Sequence, residues 1–92
     1  MYQIFFTNKM KRDVKRMKNR GKDISKLISV LSVLASGNRL PDRNRDHPLI
    51  GNRSGFRECH IESDWVLVYR IQNDVLILTA IETGTHADIF GL

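Results

Sequence analysis

The 92-residue sequence has little of what secreted and membrane proteins need. It contains one cysteine, Cys59, which cannot form a disulfide bond within the chain and fits a reducing cytoplasm. No apolar run approaches the roughly 18 residues that span a bilayer, and the N-terminal residues lack the long apolar segment of a signal peptide. We therefore expect one cytoplasmic domain, covering residues 1–92, that has no membrane partner.

Metal-binding motifs are missing as well. The sequence contains no Cys-x-x-Cys and no His-Glu-x-x-His pattern, and the spacing of its three histidines, His47, His60 and His86, is long and irregular. This absence favours a protein that uses neither a metal nor another cofactor. A small metal-binding protein stays open as an alternative.

Positive charge is what the sequence has in excess. Fifteen Lys and Arg residues against ten Asp and Glu residues give a formal net charge of +5. Such a surface attracts polyanions, because basic side chains at phosphates release counterions, but an acidic protein partner would fit it equally well. Nine basic residues fall within residues 9–26, which indicates either a solvated helix face or a surface for RNA or the ribosome. A second group consists of Arg39, Arg43, Arg45, Arg53 and Arg57.

The N-terminal third of the sequence predicts a strand followed by a pair of helices. Residues 2–7 are aromatic and apolar, as is typical of a strand. Apolar residues then recur at helical spacing over about 8–20 and again over 23–37. Gly21 and Gly37 are the residue type that ends helices. We expect a helical hairpin with one apolar face.

The rest of the sequence predicts a loop and three strands. Residues 38–54 have a loop composition, and a connection of this length is often functional. Strands are predicted at 56–61, 65–71 and 75–81, the last apolar on both faces and therefore central or covered. The order β-α-α-β-β-β predicts an α+β domain with two helices packed on one face of a mostly antiparallel sheet. We expect the functional site on the opposite face.

The side chains best suited to catalysis follow the helices. His47, His60 and His86, with Asp64, offer acid–base groups that work near neutral pH. RNA carries its own nucleophile, the 2′-hydroxyl, so cleavage needs a base, an acid and cations but no metal. The alternative is that these histidines are structural, in a loop and a strand. Cys59 precedes His60 but points to the opposite face of the strand, so it is interpreted as a buried structural thiol.

Four ordered blocks resemble a known family and cover nearly all of the chain after the helices. The sequence is similar to the YafQ branch of the RelE toxin superfamily in Asp46-His47-Pro48-Leu49 with Gly51, in Gly55 to Glu62, in Asp64 to Tyr69, and in Thr83 to Gly91. The resemblance implies a toxin of a type II toxin–antitoxin system that cleaves translated mRNA in the ribosomal A site by attack of the 2′-hydroxyl. It also implies a cognate acidic antitoxin, with operator DNA bound only through the toxin–antitoxin complex.

The resemblance further implies an active site formed by His47, His60, Asp64, His86 and Phe90. Our hypothesis makes His86 the general acid and either Asp64 or His47 the base, while His60 orients a partner or stabilises charge and Phe90 stacks on a base. The candidate RNA-binding residues are Arg45, Arg53, Arg57 and Arg70, although strand alternation can turn Arg57 or Arg70 away from the site.

One position departs from the family pattern. Relatives often carry an arginine where this chain has Glu82, and a carboxylate facing the site would repel phosphate. Either Glu82 points away, another arginine such as Arg57 substitutes, or activity is reduced. An alternative function is therefore a non-catalytic module of the same fold that binds RNA or an antitoxin without cutting.

Overall fold

A single five-stranded sheet organises the chain. The computed structural model describes residues 1–91, and its strands lie in the order β1-β5-β4-β3-β2. β1 is parallel to β5, and all other neighbouring strands are antiparallel. The strands are β1 (Gln3–Phe6), β2 (His47–Pro48), β3 (Arg57–Glu62), β4 (Trp65–Gln72) and β5 (Ile77–Gly84).

Three helices accompany the sheet, α1 (Asn8–Asn19), α2 (Ile24–Ala35) and α3 (His86–Phe90). α1 begins where the Thr7 hydroxyl accepts the backbone N–H of Met10 at 2.9 Å, and α2 where the Asp23 carboxylate accepts that of Ser25 at 3.0 Å. α1 ends at Asn19, and after the C-cap Arg20 comes Gly21, whose φ of 87° lies in the left-handed region that glycine adopts without strain. The helix end predicted at Gly21 is therefore confirmed.

The main core lies between α1, α2 and one face of the sheet. Met10, Met17 and Leu27 are fully buried against Trp65 and the alternate residues of β4. The indole N–H of Trp65 donates to the Thr83 hydroxyl at 2.9 Å, which satisfies the polar group of the largest core side chain.

Two details of α2 differ from the simple helical pattern. Ile28, at helical spacing from Ile24 and Leu31, is half exposed, while Val30, which does not follow that spacing, is buried. The buried face is therefore rotated toward Leu27, Val30, Leu31 and Leu34.

The opposite face of the sheet has a thinner cover. Val66, Val68 and Ile89 form a small second core, packed against the loop between β2 and β3 and against α3. The candidate histidines predicted for this face lie there, and His47 among them is exposed to solvent.

The α+β class and the order of helices and strands are as predicted, with local additions. The loop over 38–54 contains two short 3-10 turns and the two-residue strand β2, which adds a fifth strand at the sheet edge. β5 begins at Ile77 and extends to Gly84, later than the predicted 75–81, and it lies between β1 and β4 as its two apolar faces indicated. No helix among residues 1–91 combines the length and the apolar character that crossing a membrane requires.

Candidate active site

The site is built around a buried carboxylate on β3. Alternation along the strand directs Glu58 and His60 away from the helices, while Cys59 between them is fully buried in the main core. Glu58 is only 4% exposed, and its Oε1 lies 3.5 Å from Nε2 of His60. Burying a carboxylate is costly unless partners compensate its charge. The cationic form of His60 is one such partner.

His86 approaches the same carboxylate from the start of α3. Its Nε2 lies 3.6 Å from Glu58 Oε1, and its Nδ1 lies 3.1 Å from Oδ1 of Asp64. Asp64 also accepts the backbone N–H of His86 at 3.3 Å. These two hydrogen bonds hold the pKa of the Asp64 carboxyl below its ordinary value. The ionised carboxylate of Asp64 thus accepts hydrogen bonds from His86 and fixes the orientation of its imidazole.

His47 completes the ring of imidazoles from the edge strand β2. It pairs with Glu58 across the sheet, and its Nε2 lies 3.9 Å from Glu58 Oε1. Its Nδ1 lies 2.6 Å from the carbonyl oxygen of Arg45, which can only accept, so Nδ1 carries the proton. Arg45 itself has a φ of 49°, a left-handed conformation that is costly for a residue with a side chain. The chain is therefore bent at the residue that fixes the tautomer of His47.

Phe90 and Arg53 extend the site beyond the histidines. The rings of His60 and His86 are 5.2 Å apart between centroids, and those of His86 and Phe90 are 6.1 Å apart and nearly parallel. The Arg53 guanidinium lies 5.0 Å from the centre of the Phe90 ring, within the range of a cation–π contact. The three histidines expected from the family motifs thus surround Glu58. Phe90 and Asp64, the other two expected residues, contact His86.

Ion pairs with α1 hold α3 in place. Asp88 accepts the Arg20 guanidinium at 2.6 Å and the backbone N–H of Thr85 at 3.0 Å. These hydrogen bonds hold the pKa of the Asp88 carboxyl far below its ordinary range. Gly84 has no side chain where Asp88 passes, and a Cβ there would lie 2.9 Å from Asp88 Cβ. His86 and Phe90 therefore depend on a tight junction between β5 and α3.

The chain belongs to the YafQ family. Residues 2–91 match the family model described as a bacterial toxin of a type II toxin–antitoxin system, YafQ. The mRNA interferase toxin YafQ of Escherichia coli K12 is 37% identical over 89 residues, which cover 96% of this chain and 95% of that protein.

Solved structures agree with this assignment. YafQ in the E. coli DinJ–YafQ toxin–antitoxin complex matches with a TM-score of 0.88 at 36% identity, over 98% of each chain. A metal-bound toxin from Helicobacter pylori matches with a TM-score of 0.92 at 34% identity, over 98% of this chain and all of that one. The expected family and fold are confirmed.

The four candidate RNA-binding arginines occupy different places relative to this YafQ-like site. Arg53 lies at the site, and Arg70, on the same face of β4 as Val68, is exposed. Arg45 is exposed beside His47. Arg57 lies on the helix side of the sheet, where its Nε donates to Asp46 at 3.3 Å, so the structure does not bring it to the histidines.

Glu82, the position expected to depart from the family pattern, does not point away from the site. It pairs with Val68 and lies on the same face, but it is 7% exposed and accepts Arg53 Nη1 at 3.2 Å. Lys9 Nζ approaches its other oxygen to 3.9 Å. The cation that accompanies this carboxylate is therefore Arg53, whereas Arg57 was the residue named as a substitute.

Sequence reasoning missed the role of Glu58. It considered the histidines and Asp64 as acid–base groups and read the carboxylate two residues before His60 only as part of the family motif. The available signal was the i, i+2 spacing, which places Glu58 and His60 on one face of a strand.

About half of the basic group over residues 9–26 is engaged within the protein. Ion pairs to Asp13, Glu62, Glu82 or Asp88 are formed by Lys9, Arg16, Arg20, Lys22 and Lys26. Within residues 1–91 the basic side chains of this group outside such pairs are Lys11, Arg12, Lys15 and Lys18, all exposed. A surface for RNA or the ribosome stays a prediction, which now concerns these four exposed side chains.

The folded chain also brings together potential metal ligands that the sequence spacing did not suggest. Glu58, His60 and His86 can each offer one ligand atom, and these atoms lie within 4.8 Å of one another. Imidazole and carboxylate groups are ligands that Zn²⁺ accepts, and three protein ligands are typical of an open zinc site. The expectation that no metal is used stays a prediction.

Proposed function

We propose that this chain is an mRNA interferase, an endoribonuclease toxin that cuts messenger RNA on the translating ribosome by acid–base catalysis. The observation that carries the proposal is the convergence of three imidazoles, whose Nε2 atoms all lie within 3.9 Å of Glu58 Oε1 beside the aromatic ring of Phe90. The E. coli relative is named an mRNA interferase toxin, and its chain is covered almost completely.

His47 is the proposed base. Because Nδ1 donates to the Arg45 carbonyl, the neutral ring presents the lone pair of Nε2 to the site, where it can accept the proton of the 2′-hydroxyl. Asp64, the other candidate, is less suited, because a carboxyl with a lowered pKa that already accepts two hydrogen bonds from His86 is a weak base. The proton gained by His47 is stabilised by the carboxylate of Glu58.

His86 is the proposed acid. Its Nδ1–H donates to Asp64, which leaves Nε2–H free to protonate the departing 5′-oxygen. The bond from the 2′-oxygen to phosphorus forms while that from phosphorus to the 5′-oxygen breaks, so the products are a 2′,3′-cyclic phosphate and a 5′-hydroxyl. His60, 11% exposed at its side chain and next to both Glu58 and His86, orients the pair and adds positive charge when protonated.

The proposed partners follow from the family and from charge. A type II toxin is held inactive by its antitoxin, and a net charge of +5 suits an acidic one. The exposed basic residues of α1 suit the phosphates of RNA or the ribosome. We place the protein in the cytoplasm, where messages are translated, and its contact with operator DNA in the complex with the antitoxin.

The test is cleavage of a defined message in a translating extract, with ends mapped by primer extension. Wild type should cut inside the reading frame only when ribosomes are present. His86→Ala and His47→Ala should each lower the rate by roughly 10²–10⁴-fold, the usual contribution of a general acid or base. A matched control is Asn19→Ala, an exposed change at the end of α1 that leaves the site intact.

Two outcomes would contradict the proposal. If the folded wild type makes no ribosome-dependent cuts, the chain is the non-catalytic module instead. If His86→Ala cuts at the wild-type rate with its fold intact, His86 is not the acid.

A second candidate function is divalent metal binding at Glu58, His60 and His86. The geometry of these ligands fits, and a relative of known structure is described as metal-bound. A nitrogen that ligates a metal cannot carry the catalytic proton, so a bound metal should inhibit cleavage. Calorimetric titration with Zn²⁺ tests this, with Glu58→Gln as the variant that should weaken binding. Absence of binding by the wild type rejects this candidate, and zinc-stimulated cleavage would contradict the metal-free mechanism.

A further inference from the structure

We propose that Arg53 binds a phosphate of the RNA next to the cleaved bond, and that Glu82 is the positioning residue that holds Arg53 there. This inference rests on the proposed function, because it takes RNA as the ligand of the site. It assigns to Glu82 a role in favour of binding, although a carboxylate at that place would by itself repel RNA.

The geometry of the guanidinium carries the first step. Arg53 Nη1 donates to Glu82 Oε2 and Nη2 to the carbonyl oxygen of Ile89, both at 3.2 Å. The group also lies 5.0 Å from the centre of the Phe90 ring. Three fixed contacts from β5, α3 and the aromatic ring thus define the plane and position of a side chain that otherwise has many conformations.

The remaining donors carry the second step. A guanidinium has five N–H groups, and only two are used in these contacts. The side chain of Arg53 is 34% exposed, so free donors can reach a ligand in solvent. A planar guanidinium with free N–H groups is suited to binding phosphate. Arg53 is also close to the proposed acid, because the Phe90 ring that it contacts stacks on His86.

Local charge carries the third step. Glu82 is buried, and both of its oxygens are approached by cations, Arg53 at 3.2 Å and Lys9 at 3.9 Å. Lys9 lies closer to Asp13, at 3.0 Å, so Arg53 is the main partner of Glu82 and the two charges neutralise each other. The negative charge of the buried carboxylate is therefore compensated within the protein. The part of the ion pair that is exposed to solvent is the guanidinium of Arg53.

The experiment measures binding and cleavage separately in the same variants. Binding of a fluorescein-labelled single-stranded RNA is followed by anisotropy over a range of salt concentrations. Cleavage is followed on ribosome complexes as the concentration for half-maximal rate and as the maximal rate. Arg53→Ala should weaken RNA binding by roughly tenfold, and it should lower the slope of log affinity against log salt by about 0.7, the value for one phosphate on a single strand. Arg53→Lys should recover the slope but only part of the affinity, because an ammonium cannot make the forked contacts.

Glu82→Gln distinguishes positioning from repulsion by the sign of its effect. If Glu82 holds Arg53, the loss of its charge should weaken RNA binding by roughly threefold, and it should raise the concentration for half-maximal rate more than it lowers the maximal rate. In the Arg53→Ala background the same change should have no such weakening effect, because the residue it acts through is gone. The matched control is Glu62→Gln, which also removes a carboxylate paired with two cations, Lys22 and Lys26, but not at the site.

The outcomes separate this inference from the function on which it rests. Tighter RNA binding by Glu82→Gln, beyond that of Glu62→Gln, would mean that Glu82 only repels phosphate and would overturn the inference. A loss of thermal stability in Arg53→Ala with an unchanged salt slope would also overturn it, since Arg53 would then only fasten the loop. If the wild type binds RNA with the expected changes but cuts no message, the proposed function fails and the Arg53–Glu82 contact stands.

Discussion

Replacing Gly84 with alanine should disable the site without disrupting the core. The added Cβ would lie 2.9 Å from both Cβ and Oδ2 of Asp88, and 3.1 Å from Nη2 of Arg16. Real Cβ atoms do not approach this closely, so the start of α3 must move by several tenths of an ångström or more. Overpacking of this kind costs about 1–3 kcal/mol. Because His86 is the first residue of α3, a shift of about 1 Å there can lower the cleavage rate by roughly 10²-fold.

The assay combines thermal unfolding with single-turnover cleavage at a temperature where the variant is folded. A cost of 1–3 kcal/mol corresponds to a fall in melting temperature of at least about 4 °C for a domain of this size. The matched control is Gly21→Ala, in which a left-handed φ of 87° also makes alanine costly, by roughly 1–2 kcal/mol, but the turn lies between α1 and α2. Gly21→Ala should lose stability and keep its cleavage rate. If Gly84→Ala keeps the rate as well, the position of α3 does not limit catalysis and the reasoning is refuted.

Two further predictions concern ionisable groups. Asp64→Asn should lower the cleavage rate about tenfold or more while hardly changing the melting temperature, because Asp64 is exposed and orients His86. The control is Asp74→Asn, a change in an exposed turn. Equal rates for the two variants would argue against an orienting role of Asp64. Burial raises the pKa of the Cys59 thiol and of the Tyr69 phenol, so the folded state retains both protons. The free energy of unfolding should therefore be highest below the pKa values of the two groups in the unfolded chain, about 8.5 and 10, and should fall as the pH rises above them. In urea titrations, Cys59→Ala should remove the first part of this decline. Rapid alkylation of Cys59 in the native protein would show that the thiol is not buried.

The fold could be predicted from local patterns where those patterns are strong. Helical spacing and the glycines that follow the helices predicted α1 and α2, because each signal arises from residues close in sequence. β2 could not be predicted in this way. It has two residues, one of them a proline, and it exists because His47 and Pro48 pair with β3 at the sheet edge.

The site could be predicted only as far as residue type and family motif reach. Residue type and motif predict His47, His60, Asp64 and His86 as candidate groups, but they do not predict that Glu58 lies beside all three histidines. Its role depends on two strands and a helix, β2, β3 and α3, that meet only in the folded chain. The partner of Glu82 was missed for the same reason, since Arg53 reaches it across 29 positions of sequence. Ion pairs between residues far apart in sequence produce no periodic pattern from which they could be predicted.

The arrangement of the two proposed catalytic histidines predicts different pH dependences for RNA binding and for cleavage. Cleavage needs His47 neutral and His86 protonated, so the single-turnover rate should rise and then fall as the pH increases. RNA binding should only weaken with rising pH, because each imidazole that loses its proton exposes more of the negative charge of Glu58.

Single variants assign the two limbs of the rate profile. The residual rate of His47→Ala should lack the fall at low pH, and that of His86→Ala should lack the fall at high pH. If the two variants exchange these limbs, the acid and the base have been assigned in reverse. A wild-type rate that increases steadily with pH would exclude a histidine acid altogether, because the leaving oxygen would then depart without protonation by an imidazolium.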